Sequence, residues 1–174
     1  LTCNSIYLRQ IMQQYAAGKS DDLAYRLARR NAHNADAALS TTLANMLMEP
    51  GHFRKEADVG FRFLVLSHTL LSYLSGLGAH RETQLPAEVR EHLIEGAGKT
   101  LAASIDEIAT GLANKQPIAI QSDAEEALAV ELEQMPDEID EGQRLVQTQL
   151  ALICRQLGPL RTLAAHLIKD TSEA

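Results

Sequence analysis

Apolar residues recur at steps of three and four positions through most of this sequence, which is the spacing of one face of an α-helix. The composition favours the same fold class, because apolar residues make up 45% of the chain and aromatic residues only 4%. Ala and Leu favour helices, whereas the β-branched and aromatic residues that strands prefer are few and scattered. We therefore expect one all-α domain over residues 1–174, large enough to bury a core without disulfides or a structural metal.

The order of helices predicts an antiparallel bundle of four to five long helices plus a short acidic accessory helix. Pro and Gly mark where the helices end, since Pro disfavours helical geometry in the residue before it and Gly supplies the turn. The predicted long helices run from about Thr2 to Ala17, from a cap at Ser20 or Asp21 to the stop at Glu49-Pro50-Gly51, from about Phe53 to Ala79, and from Pro86 to a loop over residues 114–121 that contains Pro117.

Each long helix has an apolar face that we expect to be buried, and the third helix, apolar on more than one side, should be central. On the first helix this face is narrow. The faces comprise Cys3, Tyr7, Ile11 and Tyr15; then Tyr25, Ala28, Ala32, Ala35, Leu39 and Met46; then Ala57, Phe61, Leu64, His68 and Leu71 with Leu66, Leu70 and Leu74 beside them; and Val89, Leu93, Ala97, Leu101, Ile105, Ile108 and Leu112.

Two further helices follow the loop. Ser122 and Glu125 have the spacing of a capping box and open a short acidic helix that should end near Met135. The final helix should begin after Pro136, and Gly158-Pro159 should kink it or split it in two. Its inward residues are predicted to be Ile139, Leu145, Ile153, Leu157, Leu160 and Leu167.

The net charge of −7 argues against a nucleic-acid partner, because phosphate binding depends on clustered Lys and Arg. The excess acid is local: residues 1–100 carry 11 basic and 10 acidic side chains, whereas residues 101–174 carry 5 and 13. The acidic run at 137–142 lacks the alternating ligand positions of a calcium loop. We interpret it as a solvated helix start.

No phosphate-binding glycine loop, nucleophile elbow or zinc-spaced Cys and His set is present, so we expect no enzyme, cofactor or metal. His33 and Asp36 could share one side of the second helix as a general base or half a metal site. A polar helix edge is the favoured interpretation, because no second His-containing pair supplies the remaining ligands that a metal site in a bundle would need. His68 could be a pH-sensitive switch, but a buried imidazole bonded to a helix carbonyl is commoner. Cys3 and Cys154 lie at opposite ends of the chain, which favours free thiols in a reducing compartment.

Arg26, Arg29 and Arg30 form the one dense basic group, and Arg54, Lys55 and Arg62 follow in the next helix. Guanidinium groups in such a cluster could bind an anionic headgroup or a carboxylate. The alternative is that these side chains pair with the acidic residues around them on a solvated face. Those acidic residues are Asp21, Asp22, Glu56 and Asp58.

Three stretches resemble a known protein family. They are Asn4-Ser5-Ile6-Tyr7-Leu8 through Tyr15, then Asp22-Leu23-Ala24-Tyr25-Arg26-Leu27-Ala28-Arg29-Arg30-Asn31-Ala32, and Met46-Leu47-Met48-Glu49-Pro50. Their order and spacing resemble the cytoplasmic region of the YccS/YhfK family, inner-membrane proteins of the fusaric-acid-resistance and aromatic-acid-exporter (FUSC) superfamily. The resemblance is clearest over residues 4–81 and less distinct towards the end.

The resemblance implies a C-terminal cytoplasmic domain of a larger protein that has two sets of transmembrane helices and acts as a transporter or efflux component. A first residue other than Met and the lack of a signal peptide predict an excised segment. The leading hypothesis is an accessory domain whose partner is its own transmembrane domain or a second copy of itself. The alternative is a sensor in which Tyr7, Tyr15 and Tyr25 bind an aromatic carboxylate together with Arg26, Arg29 and Arg30.

Overall fold

The computed structural model describes residues 1–17, 22–48, 54–134 and 139–170. Those residues form six helices and no strand, so the prediction of an all-α bundle is confirmed. The helices are α1 (Thr2–Ala17), α2 (Asp22–Met48), α3 (Arg54–Ala79), α4, α5 (Asp123–Glu133) and α6 (Glu141–Asp170). Helix α4 runs without a break through Ala87–Arg90, the π-helical Glu91–Gly98 and Lys99–Asn114.

Helices α3 and α6 pack side by side in antiparallel directions. The Gln156 side-chain amide donates a hydrogen bond to the Leu66 carbonyl oxygen at 3.1 Å. Farther along, Gln149 lies against Gly76, and Gly142 lies against Thr83 of the segment that follows α3. Residue numbers therefore fall along α6 as they rise along α3, and the two helices share a long interface.

Helix α1 lies antiparallel to α4 and is more deeply buried than predicted. The Ser5 hydroxyl donates to the Ala102 carbonyl oxygen at 3.2 Å, and Met12 packs against Gly98. Neighbours on α2, α3 and α4 cover three sides of α1. The predicted narrow face is therefore wrong, because further side chains are also buried: Asn4, Ser5, Leu8, Met12 and Gln14.

One continuous cluster of apolar side chains joins all six helices. The predicted stripe of α4 is confirmed, since it places five buried residues in this cluster and its two end residues at the margin. The prediction for α6 is confirmed at its centre, where three of the named residues are buried. The buried residues named here are Leu93, Ala97, Leu101, Ile105 and Ile108 of α4 and Ile153, Leu157 and Leu160 of α6.

The prediction for the buried faces of α2 and α3 is confirmed in part, since Tyr25, Ala28 and Ala32 of α2 are buried as expected. Phe61 and His68 were expected inside but are exposed, and so is Ala35 on α2. Leu70, Leu71 and Leu74 of α3 are buried as predicted, and the core face of this helix also includes Phe63, Ser67 and Leu77. A helix with apolar residues on two sides leaves this choice open, and packing against α1 and α6 decides it.

Most helix ends lie close to the predicted positions. Helix α1 has the predicted bounds, α3 ends at the predicted Ala79, and α4 begins at Ala87, directly after Pro86. Helix α6 passes through Pro159 as one element, so the predicted split is wrong. The proposed stops and caps at 20–21, 49–51 and 135–136 lie outside the described residues, as does the Ala57 side chain.

Candidate functional site

The three tyrosines singled out in the sequence meet at the junction of α1, α2 and α3. The ring centroids of Tyr7 and Tyr25 are 5.6 Å apart, and their hydroxyl oxygens are 3.3 Å apart. The Tyr25 hydroxyl also donates to the Gly78 carbonyl oxygen at 3.3 Å, and that of Tyr15 donates to the Leu77 carbonyl oxygen at 3.0 Å. Burial raises the pKa of Tyr7 and Tyr15 above the ordinary value, so both remain neutral phenols that bind the end of α3.

The arginine beside this tyrosine cluster is Arg81, which sequence reasoning missed. Its guanidinium carbon lies 4.4 Å from the centroid of the Tyr25 ring, and Nη1 donates to the Gly78 carbonyl oxygen at 3.1 Å. Such stacking of a cation on an aromatic face is attractive. Arg26, Arg29 and Arg30 lie instead at exposed positions of α2. Their binding role stays a prediction, and Arg29 is near enough to Tyr7 for its positive charge to oppose the rise in the pKa of that tyrosine.

A surface cavity of about 470 Å³ opens next to Tyr15. It lies where the end of α1 meets the segment between α3 and α4. Two guanidinium groups, from Arg81 and Arg90, and the buried amide of Gln14 border it, while the Glu82 carboxylate contributes the opposite charge. The remaining lining residues are Thr83, Gln84 and Leu85. Such a cavity can accept a small anion if the guanidinium groups outweigh Glu82.

The histidines and Asp36 are arranged differently from the prediction. Asp36 Oδ2 lies 2.8 Å from His68 Nδ1 across the α2–α3 interface, whereas His33 Nε2 faces the Ser75 hydroxyl at 3.5 Å. The prediction of a buried His68 is wrong, since 66% of its side chain is exposed. The hydrogen bond between Asp36 and His68 therefore links the two helices at the surface.

A buried arginine, Arg161 of α6, explains the position of the acidic helix. Only 1% of this residue is exposed. Its Nε donates to both carboxylate oxygens of Glu125 at 2.9 and 3.0 Å, and its Nη2 donates to Glu107 at 2.8 Å. The Ala119 carbonyl oxygen accepts a further bond at 3.4 Å. These hydrogen bonds form the Arg161 cluster, which connects α5 and the loop before it to α4 and α6.

The capping-box prediction is confirmed in one half. The Ser122 hydroxyl accepts the Glu125 backbone N–H at 3.4 Å, as predicted for the start of α5. The Glu125 side chain, expected to return the bond, binds Arg161 instead. The hydrogen bonds from Arg161 lower the pKa of Glu107. Burial opposes the charge of Arg161, but its two carboxylate partners outweigh that effect and raise its pKa.

Next to this cluster, Arg155 and Cys154 continue the contact between α5 and α6. Arg155 donates to Glu133 at 2.7 Å and to Glu126 at 2.8 Å. The buried Cys154 thiol donates to the Glu125 carbonyl oxygen at 3.2 Å, and burial raises its pKa to about 12. Both Cys154 and Cys3 are free thiols. Cys154 is thus a protonated packing group rather than a nucleophile.

Among the described residues, no group of three or more His, Cys, Asp and Glu side chains is arranged to hold a metal ion. Part of the acidic run has a structural role, because Asp140 Oδ2 accepts the backbone N–H groups of Gly142 at 2.9 Å and Gln143 at 3.3 Å. The helices within the described ranges also lack the combination of length and apolar character that crossing a membrane requires.

The chain is similar to three curated proteins. It is 40% identical over 132 residues to an uncharacterized protein of Haemophilus influenzae, covering 72% of this chain and 18% of that protein. It is 46% identical over 86 residues to the inner membrane protein YccS of Escherichia coli, covering 49% and 12%. The third is the uncharacterized protein ORF2 of Neisseria gonorrhoeae, 37% identical over 78 residues, covering 44% and 19%.

The chain therefore spans less than a fifth of the length of each of these relatives. No profile of a known protein family matches it, and no solved structure does. The homology to YccS supports assignment of this helical chain to a YccS-like group of proteins and its association with the inner membrane.

Proposed function

We propose that this chain is a non-enzymatic accessory domain on the cytoplasmic side of an inner-membrane transporter of the efflux type, within the FUSC superfamily. In this proposal the bundle docks on the transmembrane part of its own parent protein. The observation that carries the proposal is the 46% identity to YccS over 86 residues.

Two features of the chain support a cytoplasmic position. Cys3 and Cys154 are free thiols, which fits a reducing compartment. Charged side chains cover the outer surface around α5 and α6, where Arg155 pairs with Glu126 and Glu133 while about 40% of its own side chain remains exposed. A surface of that kind is stable in contact with water and costly to place in lipid.

The sidedness is tested with a cysteine at an exposed position in the full-length parent protein. Lys99→Cys places a thiol on the exposed side of α4, away from the core. A membrane-impermeant maleimide should label this variant only after the cells are broken, and the unsubstituted parent gives the background signal. Equal labelling of Lys99→Cys in intact and broken cells would exclude the cytoplasmic side.

The transport role is tested by removing the domain from the parent. Cells that contain the truncated parent should accumulate more of a set of aromatic acids than cells with the full-length protein. Immunoblotting of the membrane fraction controls for expression of both proteins. Equal export by the two proteins, at equal amounts in the membrane, would contradict an accessory role.

A second candidate function, sensing of a small aromatic carboxylate, is favoured by the cavity beside Tyr15. Arg90 lines it, whereas Arg30 lies exposed on α2. A ligand at 100 times its Kd should stabilise the fold by about 2.7 kcal/mol. Thermal-shift measurements with aromatic acids should show a shift that Arg90→Gln abolishes and Arg30→Gln leaves intact. A shift removed only by Arg30→Gln would favour the α2 arginines instead, and no shift with any acid would contradict sensing.

A further inference from the structure

The far part of α2 is an exposed helix without charges. Residues 37–48 contain no acidic or basic side chain. Leu43 is the one fully buried residue among these twelve, and Leu39 and Met46 are half-buried. A helix that faces water on one side normally carries charged residues there. The surface of this segment therefore has the composition of an interface rather than of a solvated face.

Large apolar side chains are concentrated in the same region. Leu47 and Met48 of α2 are 59% and 84% exposed, and Phe61 and Val65 of the neighbouring α3 are 53% and 47% exposed. Together with residues 37–46, these four residues form what we call the distal α2–α3 face. Exposed apolar patches of more than a few hundred Å² on a protein surface mark interaction sites.

A groove lies between α2 and α3 on this face. Its volume is about 410 Å³, and its walls come from Ala37, Ser40, Leu64, Val65 and Thr69, with Asp36 and His68 at one edge. Along α2, Ala44 continues the row that begins with Ala37 and Ser40, because positions three and four apart lie on one side of a helix.

The fold explains why none of the other described helices covers the face. Helix α1 starts beside Ala35, Leu39 and Phe63, so its first turn packs at the margin of the segment. Beyond that point α2 approaches α3 closely at one place, where Leu43 lies against Gly60. A Cβ atom added to Gly60 would be 2.7 Å from Leu43 Cδ2. The two helices thus support each other, while their common outer side has no neighbour among the described residues.

We propose that a second copy of this chain covers the distal α2–α3 face. A two-fold axis perpendicular to α2 would place this helix antiparallel to its symmetry mate, so that the two α2–α3 pairs form a four-helix arrangement. The net charge of −7 makes contact between two copies unfavourable over much of the surface. On the uncharged segment this repulsion is smallest, and the nearby Asp58 and Arg62 already neutralise each other at 3.2 Å.

The charge of the face also decides between occupants. An anionic lipid surface attracts helices that carry Lys and Arg beside their apolar side. Residues 37–48 have neither, which favours a protein surface of the same uncharged kind. Twelve helical residues extend about 18 Å. Two helices of that length in each copy form an interface at the small end of the range for specific contacts, so we expect a weak dimer.

The test is sedimentation velocity on the 174-residue chain over a wide concentration range. The wild-type chain should change from monomer to dimer as its concentration rises. Ala44→Glu places a carboxylate on the face, where two copies would bring like charges together, and should raise the dimer Kd at least tenfold. Ala103→Glu adds the same charge at an exposed position of α4 and should leave the Kd unchanged. Circular dichroism should show both variants as helical as the wild type.

A covalent version of the test does not depend on affinity. Under oxidation, Ala44→Cys should form an intermolecular disulfide faster than Ala103→Cys. A wild-type chain that stays monomeric at its highest concentration, or equal effects of the two Glu variants, would overturn the proposal, as would a monomer that binds anionic vesicles through this face. The dimer proposal concerns this chain alone. A monomeric chain would therefore contradict the dimer but not the proposed transporter role. Unchanged export by a truncated parent would contradict that role but not the dimer.

Discussion

Some side chains of this bundle bind partners that are far away in the sequence, and these contacts hold the helices together. Arg161 is the strongest example, because its two carboxylate partners lie 36 and 54 positions away. Burying a guanidinium group is costly unless its N–H groups are all directed at acceptors. Glu125, Glu107 and the Ala119 carbonyl oxygen provide those acceptors. Arg161 therefore fixes the position of α5 on the bundle together with the neighbouring Cys154 and Arg155.

Replacing Arg161 should destabilise the protein strongly. In Arg161→Met the Glu125 carboxylate, only 8% exposed, loses its partner, and we expect a loss of about 3–5 kcal/mol in the free energy of unfolding. The double variant Arg161→Met with Glu125→Met should regain a large part of this loss, because an apolar pair leaves no buried charge. Urea denaturation measures both. If Arg161→Met alone lowers the free energy of unfolding by less than about 1 kcal/mol, the pair with Glu125 does not hold α5 in place.

Gly78 should resist enlargement because the tyrosine cluster occupies the space beside it. A Cβ atom there would lie 2.7 Å from the Tyr25 hydroxyl oxygen and 3.0 Å from that of Tyr7. Both belong to buried rings, so Gly78→Ala should cost about 1–3 kcal/mol. The matched control is Gly96→Ala, whose Cβ would meet its nearest neighbour at 3.7 Å and which should gain about 0.5–1 kcal/mol. Thermal unfolding that places both variants on the same side of wild type would refute this explanation.

At the scale of the helices, local sequence signals agree with where elements begin and end. The Ser122 cap and the predicted ends of α1 and α3 are found in the structure. The start of helix α6 differs from the one that these local signals predict. Its start was expected after Pro136 within an acidic run, and it begins at Glu141 with Asp140 as the residue that binds the first free N–H groups.

The cap at Asp140 yields a prediction about α6 alone. Asp140→Ala removes the acceptor for two backbone N–H groups and should cost about 0.5–2 kcal/mol. Asp140→Asn keeps a capping oxygen and should stay close to wild type. Hydrogen exchange should show reduced protection in the first turn of α6 only in Asp140→Ala. Equal loss of stability in Asp140→Asn would mean that the negative charge, not the hydrogen bonds, matters.

At the scale of the whole molecule, pairs of acidic and basic groups connect helices that are far apart in the sequence. Arg9 of α1 pairs with Asp106 of α4 at 2.6 Å; partial burial opposes ionisation of this carboxyl group, but the hydrogen bond from Arg9 lowers its pKa. The Glu107 pKa is lowered as well, through its hydrogen bonds from Arg161. Charge pairs therefore connect α1, α4 and α6 in addition to the apolar core.

These lowered pKa values predict loss of stability in acid. A carboxyl group with a lower pKa in the folded than in the unfolded state stabilises the fold above its unfolded pKa, about 4.3 for Glu. That contribution disappears as the pH falls through the folded pKa. The difference in unfolding free energy between wild type and Glu107→Gln should be constant from pH 6 to 7 and shrink below about pH 4. Because Glu107 is more than half exposed, the difference should remain below about 1 kcal/mol. A difference that grows in acid would reverse the sign and contradict the assignment.

The amino-acid sequence by itself determined the fold class and most of the helix positions, because helical period, caps and Pro and Gly stops act between residues a few positions apart. The apolar stripe of α4 was predictable in the same way. The tertiary structure alone decided which of the two apolar sides of α3 is buried, since neighbours on α1 and α6 make that choice. It also decided that Arg81 stacks on Tyr25, and that the Glu125 side chain binds Arg161 instead of the start of its own helix. Such partnerships connect residues tens of positions apart, and only close packing of the helices brings their side chains within hydrogen-bond distance.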